Sequence, residues 1–268
     1  MAEEVHAGGD SPRVSIKISR VPIFTPDERE RLRDELAAAA RQDGNLCGAA
    51  HTGSAATAEL DRWSDIDLAL CLKASASCDE VVAEWTTRLY QQHHAIAHVD
   101  VMRGATLFRV FLLQSTLQVD VAFWSESDFG PTGPNFRLIF GSAKPLRPAG
   151  QSNPQDLIGM AWLYALHVRS SLARGRVLQT DYMLSGMRNH TLELTCLRCG
   201  VTAKQGRGLD DLPAAEREAA ARCIPRALEA GELKRALQET MAVLLREITY
   251  VDGELAGRLG GVLRGIAE

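Results

Sequence analysis

No stretch of the sequence approaches the roughly 18 uninterrupted apolar residues that a membrane-spanning helix needs, so the expectation is a protein without a membrane partner. There is no surplus of basic charge either. Thirty Lys and Arg stand against thirty-four Asp and Glu, for a formal net charge of -4. No long basic stretch studded with aromatics is present, so neither a general attraction to nucleic acid nor a stacking platform for single strands is written into the chain. The six cysteines, Cys47, Cys71, Cys78, Cys196, Cys199 and Cys223, have no framework spacing, and several lie inside apolar runs. They read as buried thiols of a reducing compartment. Cys196 and Cys199 lack a second ligand pair and are assigned to packing. Residues 1–12, MAEEVHAGGDSP, lack the basic start and apolar core of a secretory signal and read as a short disordered tail on a cytoplasmic protein.

What is present is 268 residues with 46% hydrophobic and 24% charged content, enough for one large domain or two smaller ones. Thr25-Pro-Asp-Glu28 has the cap, proline and glutamate that open a helix, and ERERLRDELAAAARQ continues it to Gly44. Residues 45–51, 66–72, 97–102, 107–113 and 117–124 form short apolar runs between turn residues and predict strands, the last two joined as a hairpin through Gln114-Ser-Thr116. DEVVAEWTTRLYQQ (79–92) has helical spacing. The prolines of KPLRPAGQSNP (144–154) read as a linker. Beyond it, 156–175, 182–200, 214–224 and 232–248 are amphipathic helices. The expected class is α+β, a mixed β-sheet domain over 1–148 followed by a helical bundle over 149–268.

Within HTGSAATAELDRWSDIDLAL (51–70), Asp65 and Asp67 stand one residue apart in a run that otherwise reads as a buried strand. Alternation puts them on one face, about 6.6 Å apart along the strand, with Ile66 and Leu68 facing the core. Two carboxylates held that close repel, and a divalent cation such as Mg²⁺ removes the repulsion. Upstream, Gly53 lets the backbone approach a ligand, Ser54 offers a hydroxyl and an amide, and AATAEL can begin a helix that favours an anion at its N-terminus. Asp120, flanked by Val119 and Val121, is a third carboxylate on a strand. Together the three describe phosphoryl or nucleotidyl transfer. Asp100 is a rival for the third place. Asp61 and Glu59 read as surface acids, and Arg62 lies near the phosphate loop. Arg169, Arg176 and Arg188 recur in the helical half, with Arg188 the candidate for nucleotide contact. His93, His94, His98, His167 and His190 share no ligand spacing.

The order Gly53-Ser54, then Asp65-Ile66-Asp67, then Asp120 on a later strand resembles the nucleotidyltransferase fold of DNA polymerase β and the small antibiotic nucleotidyltransferases. The helical half is similar to that of the lincosamide and aminoglycoside enzymes, whose bundle helps wall the acceptor site. The resemblance implies Mg²⁺ on Asp65 and Asp67, phosphates at Ser54, and Asp120 as metal ligand or base. It implies transfer of AMP from ATP, or a nucleotide from another NTP, to a hydroxyl of a small antibiotic, with release of pyrophosphate. A macromolecular acceptor, such as tRNA or a protein, and a non-catalytic nucleotide-binding module are the alternatives. Acceptor identity and oligomeric state, monomer or homodimer, stay open.

Overall fold

The computed structural model describes residues 23–57, 60–147, 150 and 152–268, and the expected tail at 1–12 and Glu59 lie outside them. The chain divides into two compact units, Met1–Ala149 and Gly150–Glu268. The class is α+β: a mixed sheet with helices in the first unit and, among the described residues, helices alone in the second.

The first unit begins with α1 (Pro26–Gln42), opened by the Thr25–Glu28 capping box. It continues through β1 (Leu46–Thr52), the single turn α2 (Ser54–Thr57), β2 (Ile66–Leu72), α3 (Cys78–Gln92), β3 (Ala95–Arg103), β4 (Thr106–Leu113), β5 (Gln118–Ser125) and β6 (Phe136–Phe140). The strands lie in the order β3-β4-β5-β2-β1-β6. Only β2 and β5 run parallel among these pairs. Alternation sends Ile66, Leu68, Leu70 and Leu72 of β2 and Val119, Val121 and Phe123 of β5 to one face, where Leu36 of α1 and Val81, Trp85 and Leu89 of α3 cover them. The other face carries a smaller apolar patch of Ala50, Ala69, Cys71, Ala122 and Phe129. Asp67 and Asp120 alternate onto that second face, so the core packing of their neighbours presents them to the thinly covered side of the sheet.

The second unit holds α4 (Pro154–Ala173), α5 (Val177–Cys199), α6 (Ala214–Arg222), α7 (Ala230–Val251) and α8 (Gly253–Ala267). Its core is built from Ile158, Ala165, Leu184, Met187, Leu237, Leu244 and Leu263, among others. Gly200, at φ 71°, closes α5 in the left-handed conformation that glycine adopts without strain. Three elements depart from the sequence reading. Residues 136–140 form an edge strand, 253–267 form a fifth helix among the described residues, and the expected linker already contains a helix start. There Asn153 accepts from the Gln155 amide and Pro154 occupies the first turn, where its missing N–H is no loss.

Candidate active site

Gly53 ends β1 at φ 61°, and a Cβ built there would lie 2.8 Å from Asp67 Cγ and overlap Asp67 Oδ2. Only glycine supplies both the left-handed backbone and the missing side chain at that position. Ser54 follows directly as the first residue of α2. Of the helix expected over 55–60, the described residues show the turn Ser54–Thr57.

The approach to Asp65 is a tied loop. The Asp61 carboxylate accepts from the Trp63 amide at 2.8 Å and from the Ser64 hydroxyl at 3.0 Å. These bonds, the Trp63 amide first, hold the Asp61 carboxyl below its ordinary range. Arg29 of α1, only 2% exposed, donates Nη1 to the Asp61 carbonyl and, at 3.4 Å, to the Ser64 carbonyl. A buried guanidinium thus fixes the backbone that delivers Asp65 to the mouth of β2.

Asp65 itself precedes β2, and Asp67 lies within it. In the parallel register Asp67 stands directly beside Asp120 of β5. The three half-buried side chains each offer a carboxylate oxygen within 4.8 Å of the others. Gln118, two residues before Asp120 on the same strand, donates Nε2 to Asp120 Oδ1 at 2.8 Å and to Asp65 Oδ2 at 3.3 Å. Burial raises the Asp120 carboxyl above its ordinary value and the Asp65 charge adds to the rise, while the Gln118 bond opposes it. Converging carboxylate oxygens are the donor set of a hard divalent cation, so these residues fit Mg²⁺.

Asp100, the rival third carboxylate, is held by Arg109 through two bonds of 2.6 and 2.7 Å and does not join the cluster. Arg62 stacks over the exposed Trp63 ring, 5.0 Å from its centroid. Arg188 lies on α5 in the second unit, where Nη2 donates to Ser185 Oγ at 3.1 Å and Nη1 is buried without a partner. Arg176 reaches Gln179 at 3.5 Å. His98 meets the Tyr90 hydroxyl at 2.9 Å, and among the described residues no histidine enters a metal-ligating group. Cys196 is buried and Cys199 half-buried on α5, both as free thiols. Arg29 and Gln118 are the residues that the sequence reading missed.

A separate surface cavity of about 430 Å³ lies where α1 meets β1 and β6, lined by Asp34, Arg41, His51, Arg137 and Ile139 among others. His51 is 6% exposed, its Nδ1 has no partner, and burial followed by the Arg137 charge lowers its pKa to about 4.

No protein-family model matches the chain, and no curated protein matches it in sequence. Solved structures do match. One is the crystal structure of an aminoglycoside 6-adenyltransferase from Bacillus subtilis, to which the chain is similar at 12% identity, over 89% of this chain and 97% of that one, with a TM-score of 0.40.

Proposed function

We propose that the protein is a Mg²⁺-dependent nucleotidyltransferase that moves AMP from ATP onto a hydroxyl of a small acceptor and releases pyrophosphate. The convergence of Asp65, Asp67 and Asp120 carries this reading, because three acids gathered at adjoining parallel strands repel unless a cation joins them. Gly53 adds support, since its lack of a side chain lets the Asp67 carboxylate lie against the backbone next to Ser54. The acceptor class, an antibiotic of the lincosamide or aminoglycoside kind, follows from the resemblance of the Gly-Ser and Asp-x-Asp motifs.

A divalent cation held by Asp65, Asp67 and Asp120 would neutralise charge on the phosphate oxygens. Gly53 leaves room for the Asp67 carboxylate, and Ser54 would offer its amide and hydroxyl to the phosphates. Asp120 would take the proton from the acceptor's hydroxyl or, as a metal ligand, help the cation lower the pKa of that hydroxyl. Gln118 holds the Asp120 side chain in position through its amide.

The test is pyrophosphate release by the full-length protein, with each NTP in turn, Mg²⁺, and a panel of aminoglycosides and lincosamides. Release that needs an acceptor, Mg²⁺ and Asp67 supports the reading. Absence of release with every NTP and acceptor, or unchanged release in Asp67→Asn, rejects it.

A further inference from the structure

We propose that Cys47 and Cys71 are a redox-modifiable dithiol, which a low-molecular-weight disulfide such as oxidised glutathione converts to a disulfide joining β1 to β2. Their Sγ atoms lie 3.1 Å apart, so closing to the roughly 2.05 Å of a disulfide takes a movement of about 1 Å. The backbone sets this up. Leu46 pairs with Leu72 and Gly48 with Cys71, and the irregularity between those two pairs leaves Cys47 extra on its strand, against Cys71. The neighbours lie close at Gly48, where an added Cβ would stand 3.3 Å from the Phe129 ring and from the Phe140 carbonyl and 3.4 Å from Cys71 Cβ.

The two thiols are unequal. Cys47 is half-buried and Cys71 buried. Burial, followed by the hydrogen bond with Cys47, pushes the Cys71 thiol up to about 12. Cys47, the more accessible of the two, is the first nucleophile. Its thiolate attacks one sulfur of the small disulfide, forms a mixed disulfide and expels one thiolate. Cys71 then loses its proton, attacks the Cys47 sulfur and expels the second thiolate. Two protein thiols are oxidised, one small disulfide is reduced to two thiols, and the two protons end on those thiols.

The closed loop runs from 47 to 71 and contains Gly53, Ser54, Asp65 and Asp67. The cross-link would therefore staple the base of the hairpin that bears most of the acidic site. Neither thiol takes part in the proposed transfer, so the dithiol stands or falls separately from it.

The experiment treats the full-length protein with oxidised glutathione and maps it by trypsin without reduction. The expected product links peptide 42–62 to peptide 63–73 and is about 2 Da lighter than their sum, for two hydrogens lost. Melting should rise by roughly 5–10 °C, as expected for a loop of this size, and fall back on reduction. Cys47→Ser, at the half-buried position, should show neither change, and Cys71→Ala provides the second control. Both thiols remaining open to alkylation after oxidation would overturn the proposal. So would a mixed disulfide that persists on Cys47, a bridge to Cys78, or a cross-linked protein that melts no higher than the reduced one.

Discussion

Gly53 and Asp67 occupy one space: the hydrogen of the glycine faces the carboxylate, and a Cβ in its place would lie 2.8 Å from Asp67 Cγ. Gly53→Ala should therefore displace Asp67 as well as strain a backbone at φ 61°. The expected loss of transfer is at least about 100-fold, with a stability loss of only about 1–3 kcal/mol. Initial rates beside thermal unfolding check this, and a rate within fivefold of wild type would reject a role for this close approach.

Asp120→Asn should cost catalysis and spare the fold. The substitution removes a charge that burial and Asp65 disfavour, so the metal-free variant should be within about 1 kcal/mol of wild type, or more stable. Transfer should fall by roughly 10³-fold or more. Mg²⁺ should raise the melting temperature of wild type and leave that of the variant nearly unchanged. An equal Mg²⁺ response in both proteins would remove Asp120 from the ligand set.

Arg29→Met keeps much of the side-chain volume and frees the Asp61 and Ser64 carbonyls. The loop should loosen, with destabilisation of about 1–3 kcal/mol. Because the loop delivers Asp65, half-maximal rate should also require several-fold more Mg²⁺. A stability loss with an unchanged Mg²⁺ requirement would show that Arg29 serves the fold alone.

His51 gives stability a pH dependence of known sign. Its folded pKa, about 4, lies below the ordinary 6.5, so between those values the unfolded chain binds the proton and the folded one does not. Stability is then complete above pH 6.5, falls as the pH drops toward 4, and loses about 2–3 kcal/mol from this group. Denaturant unfolding of wild type and His51→Gln across pH 4–7 reads the difference. Parallel curves would show that His51 does not titrate in this way.

Much of the acidic site was legible because its signals are local and chemically costly. A charge inside IDLALCL has no apolar reason to be there, and the same holds for Asp120 between two valines. Arg29 was hidden by the opposite circumstance. It occupies the core-facing stripe of α1 with Leu32, Leu36 and Ala40, a place where a charged residue gives no sequence signal of burial. Gln118 shares the face of Asp120 by simple alternation, a signal present and overlooked. The edge strand 136–140 is short and framed by Gly and Pro, so its apolar pattern is too brief to mark a strand. The last helix contains Gly253, Gly257, Gly260, Gly261 and Gly265, each worth up to about 1 kcal/mol against helix, so burial of Leu263 and Ile266 decides what propensity does not.

The parallel pairing of β2 with β5 also dictates an order of assembly. β2 finds β1 through a short excursion, but its other edge must wait for a strand that follows α3, β3 and β4 in the chain. A nascent chain that ends before residue 118 lacks the strand that covers this edge of β2, and an uncovered strand edge invites pairing between molecules. The strand that completes the sheet is the one that carries Asp120. Pairing of β5 with β2 thus covers that edge and sets Asp120 beside Asp67 in the same register.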